Sequence, residues 1–307
     1  MKNDCIYQKV IEKRNEKQPA IREAILECAH IDSGELCFTS SKSLDRALTD
    51  GIFILKIPAE INLGAGDAFS RQFYLGDETA YGRFRNVTGD IFGDPLLGFH
   101  QRVNQIEQFL LERRLWRAHY PSEIALLGEC LNLLSQIILR HILKEVKIPE
   151  CDWCAATGGC SDIMGSYHLT FNHYRPAIDS CGLNSHKDDG FLTILRSYTP
   201  GLEVNRNRDW EWVSCDEEHF VINFGLAMEI LTEHCQRPVA AIMHRVRRQK
   251  NHRTSFGHFT SSGCIPGMDQ GVYRYIPSLG LEWVCGSRQL IDSNDAEIYE
   301  GTMYSEE

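Results

Sequence analysis

After about residue 165 the chain changes its pattern, and that change constrains the fold more than any other feature. Short apolar, β-prone runs follow one another at 166–174, 183–188, 191–197, 202–205, 210–213, 219–224, 239–247 and 253–260. Turn-forming segments such as Tyr198-Thr-Pro-Gly201 and Gln249-Lys-Asn-His252 separate them. Upstream the pattern is helical. Residues 1–50 read as polar and helical, ending in the amphipathic run Ser43 to Leu48, and 64–75 and 95–119 also read as helices. Gly51-Ile-Phe-Ile-Leu-Lys-Ile-Pro58 is a strand closed by proline. Pro121-Ser-Glu-Ile then opens a helix to about Lys147, with Leu126, Leu127, Cys130, Leu134, Ile137, Ile138 and Ile142 at helical spacing. Helices first and strands after predict an α+β fold: a double-stranded β-helix (jelly roll, cupin-like) core with buttressing N-terminal helices. No Pro/Gly/Ser-rich linker divides the chain, so one domain is expected over 1–307. It would comprise a mostly helical part at 1–150, a jelly-roll core at 151–265, and a tail at 266–307 of loops with one returning helix.

Composition narrows the function classes. With 43% hydrophobic and 24% charged residues the chain is ordinary globular material rather than disordered or fibrous. A net charge of −10 argues against a phosphate-backbone partner, because such binding rests on Lys and Arg neutralising phosphates. The most apolar stretch, Leu126 to Leu139, is interrupted by Gly128, Glu129, Asn132, Ser135 and Gln136, so no membrane partner is expected. The charged start lacks the apolar core of a secretory signal, so a soluble, cytoplasmic protein is expected. Its 12 cysteines are then expected as reduced thiols. Cys151-x-x-Cys154 with Cys160 is part of a zinc-knuckle pattern, but only Cys181 or His168 is on hand to complete it, at irregular spacing. Dispersed thiols are the expected reading.

The densest chemistry is His186-Lys-Asp188. On a strand, positions i and i+2 face the same side, so the imidazole and the carboxylate would point together into a barrel while Lys187 points out. Alone, the pair equally fits a strand surface. A third candidate, His244, follows 58 residues later in the strand-like Ala241-Ile-Met-His-Arg-Val246. Two histidines and one carboxylate with open positions form the ligand set of non-haem iron(II) oxygen chemistry. Nine residues beyond comes Arg253-Thr-Ser255, which would place a guanidinium fork and a hydroxyl on one face, suited to a small carboxylate.

In that order the motifs resemble those of the isopenicillin N synthase-like iron(II)/2-oxoglutarate dioxygenases. Phe171-Asn-His-Tyr174-Arg-Pro176 is similar to the family's Asn-x-Tyr-x-Pro strand, and His186-Lys-Asp188-Asp-Gly190-Phe-Leu192-Thr193-Ile-Leu195 to its His-x-Asp-x-Gly-x-Leu-Thr-x-Leu signature. Gly201-Leu-Glu-Val204, Trp212-Val213, Val221-Ile-Asn-Phe-Gly225, His244-Arg-Val246 and Arg253-Thr-Ser255-Phe256 follow in family order, and Gly51-Ile-Phe resembles its Gly-Phe-Phe strand. The resemblance covers roughly residues 43–260. It implies a jelly-roll fold, His186, Asp188 and His244 as ligands of Fe(II), and O2 as a reactant. It further implies that Arg253, Ser255 and Tyr174 hold the distal carboxylate of 2-oxoglutarate as cosubstrate, with Asn172 near the keto-acid end. Leu226 stands where the family has Asp after the glycine, which implies a local structural change only. A carboxylate at Asp188 implies hydroxylation, desaturation or oxidative ring closure, with release of succinate and CO2. Two other readings stay open: an iron oxidase of the isopenicillin N synthase type that uses no 2-oxoglutarate, and a non-catalytic jelly-roll binding protein.

The substrate is expected to be a small, carboxylate-bearing natural-product intermediate or amino-acid derivative. Arg71, and Arg83 with Arg85 in Tyr81-Gly-Arg-Phe-Arg85, are its candidate anchors if that segment is extended; surface pairing with Asp77, Glu78 or Asp90 is the alternative. His168, His173, His252 and His258 are expected to be structural, with His173 pointing out of the barrel. The basic run from His244 to Arg253 reads as a solvated strand edge.

Overall fold

Residues 21–299, apart from Cys215 and Pro266, are described by the computed structural model. The chain begins with β1 (Arg22–Glu23), β2 (Cys28–Asp32), β3 (Glu35–Phe38), α1 (Ser41–Asp50), β4 (Ile52–Lys56) and α2 (Gly64–Ser70). Next come β5 (Gly98–Gln101), β6 (Ile106–Glu112), α3 (Arg113–His119) and α4 (Ser122–Glu145). The strand-rich part holds β7 (Ser166–Tyr174), β8 (Leu183–His186), β9 (Leu192–Arg196), β10 (Leu202–Arg206), β11 (Asp209–Trp212) and β12 (His219–Phe224). α5 (Leu226–Thr232), β13 (Met243–Val246) and β14 (Arg253–Ser261) complete it. Two small hairpins, β15 (Cys264–Ile265) with β16 (Met268–Asp269) and β17 (Val272–Ile276) with β18 (Gly280–Cys285), lead to α6 (Ser287–Tyr299).

Nine strands form one sheet in the order β3-β2-β4-β12-β9-β14-β7-β6-β5, and five form the other in the order β1-β11-β10-β13-β8. This is the jelly roll expected from the strand series. Alternation sorts the side chains of β7: His168, Thr170, Asn172 and Tyr174 line a cavity between the sheets, while Tyr167, Leu169 and Phe171 are buried on the helical side. α4 supports that side, packing against β9 and β14 with Leu127, Leu131, Leu134, Ile138 and Ile142 buried. Leu126 and Leu133 face outward instead. By length and composition α4 could cross a membrane. Its apolar character is accounted for by this packing.

Four local expectations are corrected. Of residues 1–50, the first twenty lie outside the described residues, and only 41–50 of the rest is helical. Cys28–Asp32 pairs with β3 and β4, burying Ala29 and Leu36, so sheet pairing overrides the helical reading. The 64–75 helix stops at Ser70. Within 95–119 only α3 is helical, because β6 adds to β7 in register from Ile106 opposite Tyr174 to Glu112 opposite His168. The tail carries two hairpins before its helix. The described cysteines are free, and among the described residues no metal-binding group forms around Cys151, Cys154 and Cys160. Cys151 is exposed, whereas Cys160 is buried with its Sγ on the Ser261 carbonyl.

Candidate active site

β13 pairs with β8 so that His244 lies directly opposite His186. β8 ends at His186, so Asp188 sits in the segment just beyond the strand rather than on it. The alternation nevertheless carries through, since Lys187 turns away to Glu229 at 2.7 Å. Two glycines admit this turn. A Cβ at Gly225 would lie 2.7 Å from the Asp188 carbonyl oxygen, and one at Gly190 would lie 2.4 Å from that of Thr260. At the departure from the family pattern, the Leu226 backbone N–H donates to the Asp188 carbonyl at 2.7 Å, and Leu226 does not line the cavity.

The ligand atoms of His186, Asp188 and His244 lie within 4.8 Å of one another. Asp188 Oδ1 stands 3.6 Å from Nε2 of each histidine. Its other oxygen accepts from Thr193 Oγ1 at 2.5 Å and Asn223 Nδ2 at 2.6 Å, which fixes the carboxylate plane. His186 Nδ1 donates to the Asn184 carbonyl at 2.9 Å, and His244 Nδ1 to that of Ile242 at 3.3 Å. Both Nε2 lone pairs are thereby directed at one point, the outer-sphere arrangement that orients metal-binding imidazoles. Burial works against the Asp188 charge, but the two imidazoles and the Thr193 hydrogen bond more than offset it and hold the carboxyl well below its usual range. Burial, then the neighbouring His186, pushes His244 down to about 4, so it is a neutral ligand near pH 7. Two imidazole Nε2 donors and one carboxylate fit a divalent iron site.

Across the cavity, Arg253 stands opposite Tyr174 and Ser255 opposite Asn172 on the paired β14 and β7. The Arg253 guanidinium donates to Ser197 Oγ at 2.7 Å and lies 4.7 Å from the Tyr174 ring centroid. Its Nε and Nη1 have no partner although the residue is only 3% exposed. A buried cation with unused donors facing a cavity is a receptor for a small anion. The sequence-selected residues Asn172, Tyr174, His186, Asp188, His244, Arg253 and Ser255 thus all line one cavity of about 140 Å3.

The substrate arginines do not join them. Arg83 and Arg85 lie in a 3-10 turn (Gly82–Asn86), not an extended segment, so they share no inward face and do not line this cavity. Arg83 lies 5.2 Å from the Phe84 ring centroid, and Arg71 donates to the Tyr198 hydroxyl at 3.0 Å outside the cavity. The cation on the half facing α6 is Arg102, which stacks 3.7 Å from the Tyr299 ring centroid. Asp295 stands 3.7 Å from Arg102, and Asp189 lines the same half. Burial, Asp188 and Asp295 push Asp189 up to about 7, and burial raises Asp295 as well. Sequence reasoning missed Arg102, Gln108, Asp189, Asp295 and Tyr299. His168 also lines the cavity. His173 does point away from it, but into a buried stack on Tyr74 with Glu107 at 2.7 Å and His252 at 2.8 Å. His258 is buried between Trp116 and Tyr167.

A jelly roll with a His-x-Asp…His cluster facing an unsatisfied arginine is the arrangement expected of an iron(II)/2-oxoglutarate oxygenase core. Residues 165–262, about a third of the chain, match the 2OG-Fe(II) oxygenase superfamily. The chain is 30% identical over 116 residues to Protein DMR6-LIKE OXYGENASE 1 of Arabidopsis thaliana, covering 35% of this chain and 32% of that protein. It is 25% identical over 201 residues to 2-oxoglutarate-dependent dioxygenase ecdG of Aspergillus rugulosus, covering 62% of this chain and 58% of that protein. The chain therefore spans less than two thirds of these curated relatives. Its fold is shared with the crystal structure of JOX2 in complex with 2OG, Fe and JA, at a TM-score of 0.61 and 18% identity, covering 94% of this chain and 96% of that one.

Proposed function

We propose that this chain is an iron(II)- and 2-oxoglutarate-dependent oxygenase that oxidises a C–H bond of a small molecule. The observation that carries the reading is the buried Arg253 guanidinium with unpartnered Nε and Nη1, facing the same cavity as the His186, Asp188 and His244 cluster. In this reading the three clustered side chains hold Fe(II), and Arg253, Ser255 and Tyr174 bind the distal carboxylate of 2-oxoglutarate, with Asn172 nearer the keto acid. With O2, the metal and cosubstrate held there would supply the oxidising chemistry for a substrate C–H bond, with succinate and CO2 as coproducts.

The protein's part is placement and dryness. Thr193 and Asn223 hold Asp188 through one oxygen and leave the other for the metal. Leu183, Leu195, Leu202 and Val246 give the arginine end of the cavity apolar walls, which strengthens its charge-assisted contacts by excluding water. On the α6 side one guanidinium, Arg102, and two carboxyls, Asp189 and Asp295, would meet a substrate bearing both signs. An amino-acid-derived, carboxylate-bearing compound matches that set, with hydroxylation, desaturation or oxidative ring closure as the outcome.

The test is succinate release from purified, iron-loaded protein against a panel of amino acids and their acylated or amidated derivatives. Release that requires both 2-oxoglutarate and one class of substrate supports the reading. Oxygen consumption that ignores 2-oxoglutarate overturns it in favour of a cosubstrate-independent oxidase.

A further inference from the structure

Gln108, Asn172 and Ser255 occupy one rung across three neighbouring strands, β6, β7 and β14, with Gln108 opposite Asn172 and Asn172 opposite Ser255. Their side chains are hydrogen-bonded in sequence. Tyr299 of α6 donates its hydroxyl to Gln108 Oε1 at 3.0 Å, Gln108 Nε2 donates to Asn172 Oδ1 at 3.1 Å, and Asn172 Nδ2 donates to Ser255 Oγ at 3.4 Å. An amide can be turned either way unless something fixes it. Here that something is Arg102, whose Nε lies 3.4 Å from Gln108 Oε1. A guanidinium has donors only, so the atom of Gln108 facing it must be the carbonyl oxygen. The amide nitrogen of Gln108 then faces Asn172, and the amide nitrogen of Asn172 faces Ser255. Every link donates in one direction, so the Ser255 hydroxyl accepts from Asn172 and keeps its own proton to donate on the side of Tyr174 and Arg253.

We infer that Gln108, oriented by Arg102 and Tyr299, is a positioning residue that sets the direction of this relay so that Ser255 donates rather than accepts at the anion end of the cavity. This rests on the assignment of Arg253 and Ser255 to the 2-oxoglutarate carboxylate. A carboxylate accepts hydrogen bonds only, so a Ser255 lone pair turned toward it would oppose binding and a proton would favour it. The relay also ties that end to α6, whose Tyr299 and Asp295 line the other half of the cavity.

The isosteric variant Gln108→Glu reverses the direction. A carboxylate at 108 accepts from Arg102 and Tyr299 but cannot donate to Asn172 Oδ1. Asn172 then turns its amide nitrogen to position 108, its carbonyl takes the Ser255 proton, and Ser255 presents lone pairs to the ligand. Because the new carboxylate gains a cationic partner in Arg102, the fold is not at risk. A through-space effect of the added charge is separated by a double-mutant cycle with Ser255→Ala. Binding of 2-oxoglutarate to the Mn(II)-loaded protein is measured by calorimetry without turnover. Gln108→Glu should weaken it about tenfold or more in the parent, the scale of one charge-assisted hydrogen bond lost, but less than about twofold in the Ser255→Ala background. An equal penalty in both backgrounds, or none, overturns the inference. Tyr299→Phe, which removes only a hydroxyl, should weaken binding about two- to fivefold with Mn(II) affinity unchanged. A Tyr299→Phe protein that binds as the parent does overturns the coupling to α6. Should the Mn(II)-loaded parent itself bind no 2-oxoglutarate, the functional assignment falls and the relay's role with it. Parent binding with an indifferent Gln108→Glu removes the relay alone.

Discussion

The two halves of the cavity are built on different terms. At the metal and arginine end the polar groups are set in advance: both imidazoles by backbone carbonyls, Asp188 by Thr193 and Asn223, Arg253 by Ser197. At the α6 end, Arg102 makes long contacts of 3.4 Å to Gln108 and 3.7 Å to Asp295, and Asp189 and Asp295 are pushed toward their neutral forms. Fixed partners suit ligands common to every turnover, because preorganised groups need no rearrangement when the ligand arrives. Longer contacts and carboxyls pushed toward neutrality suit a substrate that brings its own partners. On the proposed function, the rigid half would carry the chemistry and the other half the selectivity.

Five substitutions probe that contrast. The largest effect is expected from His186→Ala, which removes a directed Nε2 donor and should abolish iron binding as well as turnover. Metal analysis of the purified variant decides this, and a full complement of iron would break the assignment. Arg253→Lys keeps the charge but loses the planar fork, so 2-oxoglutarate binding should weaken by about 1.5–3 kcal/mol in calorimetric titration, with metal content unchanged. Asn223→Leu frees one side of the Asp188 carboxylate and should lower metal affinity about 10- to 100-fold, as outer-sphere changes do. Competition with a chelator measures it. The smallest effects belong to Arg83→Ala and Arg85→Ala. These residues lie off the cavity, so stability should move by no more than about 0.5 kcal/mol and substrate KM should stay at the parent value. A raised KM in either would return the substrate anchor to that turn.

The same division decided what could be read from the sequence. Alternation put His186 with Asp188, and Arg253 with Ser255, on a shared strand face, and the family resemblance joined the two pairs with His244 in one site. Alternate residues needed no knowledge of distant partners. Arg102, Gln108 and Tyr299 could not be found that way. Gln108 lies on β6, inside a segment that reads as helix, and β6 is a strand because it adds to β7, with Gln108 opposite Asn172, 64 positions away. Had that pairing been known, the alternation of Gln108 and Leu110 with Thr170 and Asn172 would have placed Gln108 on the cavity face. Tyr299 ends a helix whose docking rests on single contacts, such as Asn184 Nδ2 on the Ile298 carbonyl at 2.7 Å and Asn294 Nδ2 on that of Lys187 at 2.9 Å. No periodicity announces such contacts. The arginines of Tyr81 to Arg85 misled for the opposite reason: aromatic and cationic residues alternate there as in a strand, while the backbone forms a 3-10 turn.

The central claim is that the triad and Arg253 form one site for a metal and a 2-oxo acid. Equilibrium binding of 2-oxoglutarate to anaerobic protein, with and without Fe(II), tests it without knowledge of the substrate. The site described here predicts one Fe(II) per chain and 2-oxoglutarate binding that is strongly enhanced by the metal and lost in His186→Ala. Iron bound with no affinity for 2-oxoglutarate, or 2-oxoglutarate bound equally well with and without the metal, would contradict it.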